Sequence, residues 1–377
     1  MLAGIYIHIP FCKQSCHYCN FHFSTSTKNK EEVLYAIENE IKQKGQASNE
    51  AISTIYFGGG TPSILDVNEI NSIINRIHKE FNVESEAEIT IEANPDDLNK
   101  EKIINLSLTE INRLSIGVQS FIDKELRIMN RAHDSKKALN SIEISKKYFN
   151  NISIDLMYGV PESTLESWTY NLDTVSQFDI NHISSYALTL EPKTALESFV
   201  RKLVVEMPEE ELVYDQYNLI NKKLEPLGFI NYEVCSFAKE NFFSKNNSAY
   251  WLRKKYIGIG PSAHSFDGKS RSWNISNNKK YIDQIKKGKS FYKKEKLSKV
   301  DQYNEYVMTG FRTIWGVSAN FIENNFNSKF KNYFTDRIQK HIDQKNIIVK
   351  DDIYTTTNEG RFLADGISSD LFLVNLK

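Results

Sequence analysis

"IYIHIPFCKQSCHYCNFHF", residues 5–23, places three of the chain's four cysteines, Cys12, Cys16 and Cys19, within eight positions at the end of an isoleucine-rich run. Three thiolates in one tight loop are a soft ligand set, suited to zinc or to an iron–sulfur cluster. They crowd too closely for an ordinary disulfide scheme, and four cysteines in 377 residues make no disulfide framework. In a reducing compartment such a group reads as a metal site. A structural zinc site closes on four ligands, with His17 or His22 available as the fourth. An iron–sulfur cube usually takes four cysteines; with three, one iron stays open to another ligand.

The run before Cys12 reads as the first of several strands. "GIYIHIP", "STIYFGGG", "AEITIEANP", "RLSIGVQSF", "ISIDLMYGVP" and "HISSYALTL" are rich in β-branched and aromatic residues, and several close on Gly or Pro. Between them, stretches such as "KEEVLYAIENEIKQ" and "VNEINSIINRIHKEF" space apolar residues three and four apart, as amphipathic helices do. Strand and helix alternating about six times predict a parallel sheet with helices outside, in a barrel or partial barrel. Polar residues and glycines end these strands: Gly58 to Gly60, Glu92 and Asn94, Gln119, with Asp155 inside its own. In a parallel barrel the C-terminal strand ends share one face, and that face carries the site.

The totals are those of a globular protein, with 40% apolar residues and a formal net charge of −1, which gives no global bias toward nucleic acid or membrane. No apolar run is long enough for a membrane span. The first residues lack a signal peptide's basic start and cleavage site, and a cytoplasmic location is expected. After about residue 200 the pattern changes. "MPEEELVYDQYNLINKKLEPLGF" reads as a long helix, "NYEVCSFA" as a strand, and "YIGIGPSAHSF" as a strand and loop. The lysine-rich stretch from Lys279 to Lys299 reads as a solvated helix face and linker. Beyond it, short helices and a hairpin around Asp351 and Asp352 suggest a winged-helix-like module with a structural or docking role, since no Arg-rich recognition helix is evident. The expected division is 1–200 for the barrel core, 201–280 for an extension that completes it, and 281–377 for the C-terminal module.

The Cys-x3-Cys-x2-Cys spacing, with Tyr18 before the last cysteine, resembles the signature of the radical S-adenosylmethionine (radical SAM) superfamily. "YFGGGTPS", "RLSIGVQSF" and "SIDLMYGVP" resemble the oxygen-independent coproporphyrinogen III oxidase group, and the likeness covers most of the chain. The resemblance implies a partial (β/α)6 TIM-type barrel with a C-terminal helical module. It implies a [4Fe–4S] cluster on Cys12, Cys16 and Cys19, with S-adenosylmethionine on the fourth iron. Tyr6, Tyr18, Gly59, Gly60, Thr61, Glu92, Gln119, Arg131, Asp155 and, from the later part of the barrel, Ala187 match positions near cluster and cofactor. A carboxylate suits ribose hydroxyls, Arg131 suits the methionine carboxylate, and glycine lets backbone approach an ammonium group. The glycine run lacks the Lys-Ser/Thr of a phosphate loop.

Two branches of that group compete. The decarboxylating oxidases carry a further cysteine two residues after the third ligand, and a longer segment before the motif. Here Phe21 stands at that position, and eleven residues precede Cys12. Both features resemble the heme-chaperone branch, HemW, which implies heme as cargo, recipient hemoproteins and an electron donor as partners, and leaves enzymatic turnover open. "NNSAYW" is similar to that branch's His-Asn-x-x-Tyr-Trp motif, with Asn246, Asn247, Tyr250 and Trp251 at the matching positions. Asn246 replaces the histidine, and asparagine is a poor heme ligand. His264, His22 and Cys235 are the substitutes, while Cys235 also reads as a small buried hydrophobe.

Overall fold

The computed structural model describes residues 2–374. Six parallel strands form the expected series: β1 (Leu2–Ile9), β2 (Ala51–Gly59), β3 (Asn82–Ala93), β4 (Arg113–Gln119), β5 (Ile152–Tyr158) and β6 (His182–Ala187). Each pairs in register with the next, as in Tyr6 beside Tyr56 and Asp155 beside Ser184. Alternation sorts the residues of β1: Ile5, Ile7 and Ile9 enter the apolar core, while Tyr6 and His8 take the opposite face. The helices between strands bury the stripe their spacing predicts. In Val67–Glu80 this is Ile70, Ile73, Ile74 and Ile77, behind a capping box in which Asp66 and Glu69 satisfy each other's backbone N–H groups.

Antiparallel additions extend both edges. β7 (Ile230–Glu233) and β8 (Ser236–Ala238) continue past β6. "NYEVCSFA" is therefore two short strands rather than one, with Cys235 half-buried in the connection between them. On the far side β9 (Tyr256–Ile259) pairs in parallel with β1, and β10 (His264–Phe266), β11 (Ser270–Asn274) and β12 (Tyr292–Lys296) follow. The sheet runs in one line from β12 to β7, so the barrel is partial. The lysine-rich stretch is a helix, Asn278–Lys286, followed by β12, where a linker was expected. Tyr281, Ile282 and Ile285 of that helix join the barrel's core, and the exposed lysines of β12 guard the sheet's edge against further pairing.

The C-terminal module has its own core, built on Tyr303, Val307, Phe311, Ile322, Phe334 and Ile338. Its hairpin, β14 (Ile347–Lys350) and β15 (Ile353–Thr356), turns at Asp351 and Asp352, both with positive φ as a two-residue hairpin turn requires, and β15 also pairs with β13 (Val317–Ser318). Backbone bonds stitch module to barrel: Val234 N–H to Arg312 O at 2.9 Å and Ile314 N–H to Tyr232 O at 3.1 Å. No helix among the described residues is long and apolar enough to cross a membrane.

Candidate functional site

The cysteine loop leaves the C-terminal end of β1 and is tied to its surroundings by backbone bonds. Cys12 N–H donates to Ser24 O, Ser24 N–H to Pro10 O, and His17 N–H to Met129 O, at 2.9–3.1 Å. Gly60 N–H donates to Ile9 O at 2.9 Å and Thr61 N–H to Phe11 O at 2.7 Å. This close approach is what demands glycine. A Cβ on Gly60 would lie 2.6 Å from Phe11 O, and Gly59, at φ +111°, would press a Cβ against the His8 ring at 2.7 Å. The glycines therefore seat the cysteine loop against β2, a role that needs no bound ammonium group.

A cavity of about 640 Å³ opens over the strand ends. Cys12, Cys16 and Cys19 line it together with Tyr18, Gly59, Gly60 and Thr61. Glu92, Gln119, Arg131, Asp155 and Ala187 line it as well. Arg131 is no surface cation. Its guanidinium donates to Asn94 Oδ1 at 2.6 Å and Gly117 O at 2.8 Å, and reaches Cys16 Sγ at 3.2 Å and Tyr18 Oη at 3.3 Å. Its Nε is buried with no partner among the described residues. Gln119 sits in the left-handed region at φ +69°, a strained backbone for a non-glycine residue. A buried network stands behind it: Ser120 Oγ donates to Glu125 Oε2 at 2.5 Å, and Phe121 N–H to Asn171 Oδ1 at 2.6 Å.

Burial sets the ionisation of these groups. It pushes the Cys12 thiol up to about 11, against the pull of a hydrogen bond to Thr61, and it raises Cys19 as well. Metal binding would draw off these protons, because thiolates are the ligating form. Burial likewise lifts Glu92 to about 7, opposed by the Tyr56 hydroxyl that donates to its Oε1 at 2.9 Å and aided by the charge of Asp155. Asp155 is raised by burial too, while the hydroxyls of Ser184, Ser115 and Ser153 pull it back. Among the described residues no three His, Cys, Asp or Glu side chains are spaced to hold a single metal ion. A cube of irons asks for a different arrangement, since each thiolate serves its own iron.

Phe21, Gly59 and Glu92 also line a second cavity of about 520 Å³. Tyr6 belongs to this one, stacked on Tyr56 with centroids 6.1 Å apart. Tyr250, Trp251 and His264 line it as well, but Asn246 and Asn247 do not. "NNSAYW" lies on a helix, Lys245–Trp251, that turns its first residues away from the cavity. Asn246 is 2% exposed, with its Oδ1 accepting from Thr54 Oγ1 at 3.1 Å and its N–H donating to Glu88 Oε1 at 3.1 Å. Asn247 N–H is taken by the helix cap, Ser244 Oγ. Sequence reasoning missed His8, Arg253, Arg271 and Glu305 in this cavity. His8 had a signal, a lone polar residue on the Tyr6 face of β1; the others had none.

A family model described as the radical SAM superfamily matches residues 6–174, and one described as the HemN C-terminal domain matches 297–363. The chain is 33% identical to the heme chaperone HemW of Bacillus subtilis, over 97% of this chain and 98% of that protein. It is 34% identical to the HemW of Buchnera aphidicola subsp. Schizaphis graminum, over 97% and 96%. In fold it is similar to coproporphyrinogen III oxidase (HemN) from Escherichia coli, described as a radical SAM enzyme, with a TM-score of 0.85, 22% identity, and coverage of 98% of this chain and 90% of that one.

Proposed function

The chain belongs to the radical SAM superfamily and, within it, to the family of the heme chaperone HemW, and from that premise we propose that it binds a [4Fe–4S] cluster, S-adenosylmethionine and heme, and hands the heme to recipient hemoproteins. The observation that carries this reading is the convergence of Cys12, Cys16 and Cys19 with Arg131, Glu92 and Asp155 on one cavity at the parallel strand ends. The donor set fits the cofactors. Three soft thiolates suit three irons and leave the fourth free. The Arg131 fork, with an orphaned Nε, suits a carboxylate, and Glu92 and Asp155 suit an ammonium group and ribose hydroxyls.

When bound, the cluster and its sulfonium ligand supply one-electron chemistry that no side chain here can supply. The chain's own part is to hold and shield them. Arg131 steadies Tyr18 and Cys16 from the β4 side, the Gly59–Thr61 turn seats the loop, and Glu92, shared by both cavities, stands between cofactor and cargo.

The competing reading is the decarboxylating oxidase, and Phe21 separates the two. It occupies the position of the oxidases' additional cysteine and is 69% exposed on the rim of both cavities. The decisive experiment is anaerobic reconstitution followed by parallel assays. A brown protein with about four irons per chain, stable heme binding and unchanged coproporphyrinogen III are expected. Conversion of coproporphyrinogen to its vinyl products would reject the chaperone reading, and a colourless zinc protein would reject the cluster.

A further inference from the structure

The second cavity lies between the barrel and the first helix of the C-terminal module, Lys299–Phe311. Its volume, about 520 Å³, falls within the roughly 300–1,000 Å³ usual for small-molecule sites. Trp251, Tyr256 and Phe266 give it flat apolar walls. Its charged lining is two arginines and two acids, Glu92 at the wall shared with the first cavity and Glu305 from the C-terminal module. Arg253 and Arg271 share a single carboxylate, Glu305, at 3.8 and 3.0 Å. The Nε of each arginine is buried with no hydrogen-bond partner among the described residues. Two guanidinium groups with spare donors and one acid between them form a receptor for further carboxylate.

Three histidines reach the same space, and their hydrogen bonds separate them. His8 donates its Nε2–H to His22 O at 2.9 Å. His22 commits its Nε2–H to Asn278 Oδ1 at 2.8 Å. Neither ring nitrogen of His264 has a hydrogen-bond partner among the described residues; the exposed ring stacks on Trp273 with centroids 6.3 Å apart. Partial desolvation by its neighbours and the charge of Arg271 lower the basicity of His264, so it carries a free lone pair at neutral pH. His264 is also held in place. The loop before it is pinned by the buried Glu40, which accepts from Gly260 N–H at 2.8 Å and from Asn274 Nδ2 at 2.7 Å.

We propose that this cavity is the cargo site: an iron porphyrin lies against its aromatic walls, with the porphyrin's carboxylates on Arg253 and Arg271 and His264 Nε2 on the iron. The placement rests on the heme-cargo reading above. It gives the chain an axial ligand on the loop after β9, where "NNSAYW" supplies none. It also makes Glu305 a competitor of the cargo, because the acid of the C-terminal module and the porphyrin carboxylates seek the same two arginines.

The test is an anaerobic titration of cluster-loaded protein with ferric protoporphyrin IX, read by Soret absorption and electron paramagnetic resonance. Iron content and circular dichroism of each variant report its integrity. His264→Ala is expected to lose the histidine-ligated spectrum and weaken binding at least ten-fold, with added imidazole restoring the spectrum. Arg253→Ala combined with Arg271→Ala should weaken heme at least ten-fold yet leave the heme dimethyl ester unaffected. Glu305→Gln should tighten heme binding. A wild-type complex whose spectrum and affinity survive His264→Ala overturns the placement alone. Met308 of the 299–311 helix also lines the cavity, and loss of the axial signal in His22→Ala or Met308→Leu instead overturns the placement in the same way. Failure of the wild type to bind heme at all overturns the cargo reading and the placement together.

Discussion

The two cavities share a wall at Phe21, Gly59 and Glu92 but are built in opposite ways. The cysteine cavity sits on the ends of β1 to β6, where one parallel sheet brings its residues together, and most of its polar groups are bonded to backbone or to each other. The second cavity draws on β1, the cysteine loop, the 245–251 helix, β10, β11 and the C-terminal module, and its two arginines, Arg253 and Arg271, share the single carboxylate of Glu305. The first is a preorganised holder and the second an unfinished contact. The proposed resident cofactor falls to the former and the proposed cargo to the latter.

Removing one of the proposed cluster ligands should have the largest effect, and it separates the two cavities. Cys12→Ala, Cys16→Ala or Cys19→Ala is expected to abolish the visible absorption of the reconstituted cluster and to eliminate S-adenosylmethionine binding, as measured by iron analysis and equilibrium dialysis. Heme binding should survive, because no cysteine lines the second cavity. Concurrent loss of heme would mean that the two cavities are one site.

Arg131→Ala comes next and is confined to the first cavity. Charge-assisted hydrogen bonds are worth about 1.5–3 kcal/mol, which predicts roughly ten- to a hundred-fold weaker S-adenosylmethionine binding with iron retained. Arg131→Lys should rescue poorly, because an ammonium group cannot bridge Asn94, Gly117 and Tyr18 as the planar fork does. Calorimetry on the loaded variants measures both.

Glu92 sharpens the comparison at the shared wall. Its carboxyl is held up near 7 chiefly by burial. As an acceptor for ammonium or hydroxyl groups it works ionised, so S-adenosylmethionine should bind more tightly as pH rises through about 7 and level off above. The apo protein should respond in the opposite sense. The folded state holds this proton more firmly than the unfolded chain, so stability falls as pH climbs from the ordinary carboxylate range through about 7. Glu92→Gln should flatten both profiles; a pH dependence of binding that persists in this variant assigns the titration to another group.

Legibility followed the same divide. The six parallel strands, their helices and the residues at the strand ends were readable because period-2 and period-3.6 patterns are local, and a parallel barrel converts strand ends into one face. Gly59 and Gly60 also meet a packing demand that sequence does not display: Gly60 admits the backbone of Ile9 and Phe11, and Gly59 the ring of His8. The edge strand β12 was hidden by its lysines, which suit an edge as well as a linker. Arg253, Arg271 and Glu305 looked like any surface charges, because nothing local says that residues 253, 271 and 305 meet across a seam between two cores.

Position 246 offers the smallest expected effect on binding, and it tests where the second cavity ends. Motif matching puts a histidine there in the chaperone branch and invites the substitution Asn246→His as a repair. The geometry argues against any gain. The side chain is buried beside Thr54 and Gly4 and its backbone is fixed by Glu88, while the cavity begins a turn later at Tyr250. An imidazole is larger than the amide it replaces, and overpacking a buried site costs about 1–3 kcal/mol. The expected result is a lower thermal midpoint, with heme affinity and axial spectrum unchanged. A tighter complex with a new histidine signal would show that the 245–251 helix can rotate its first turn into the cavity, and that the boundary between the barrel's polar interior and the cargo site is movable.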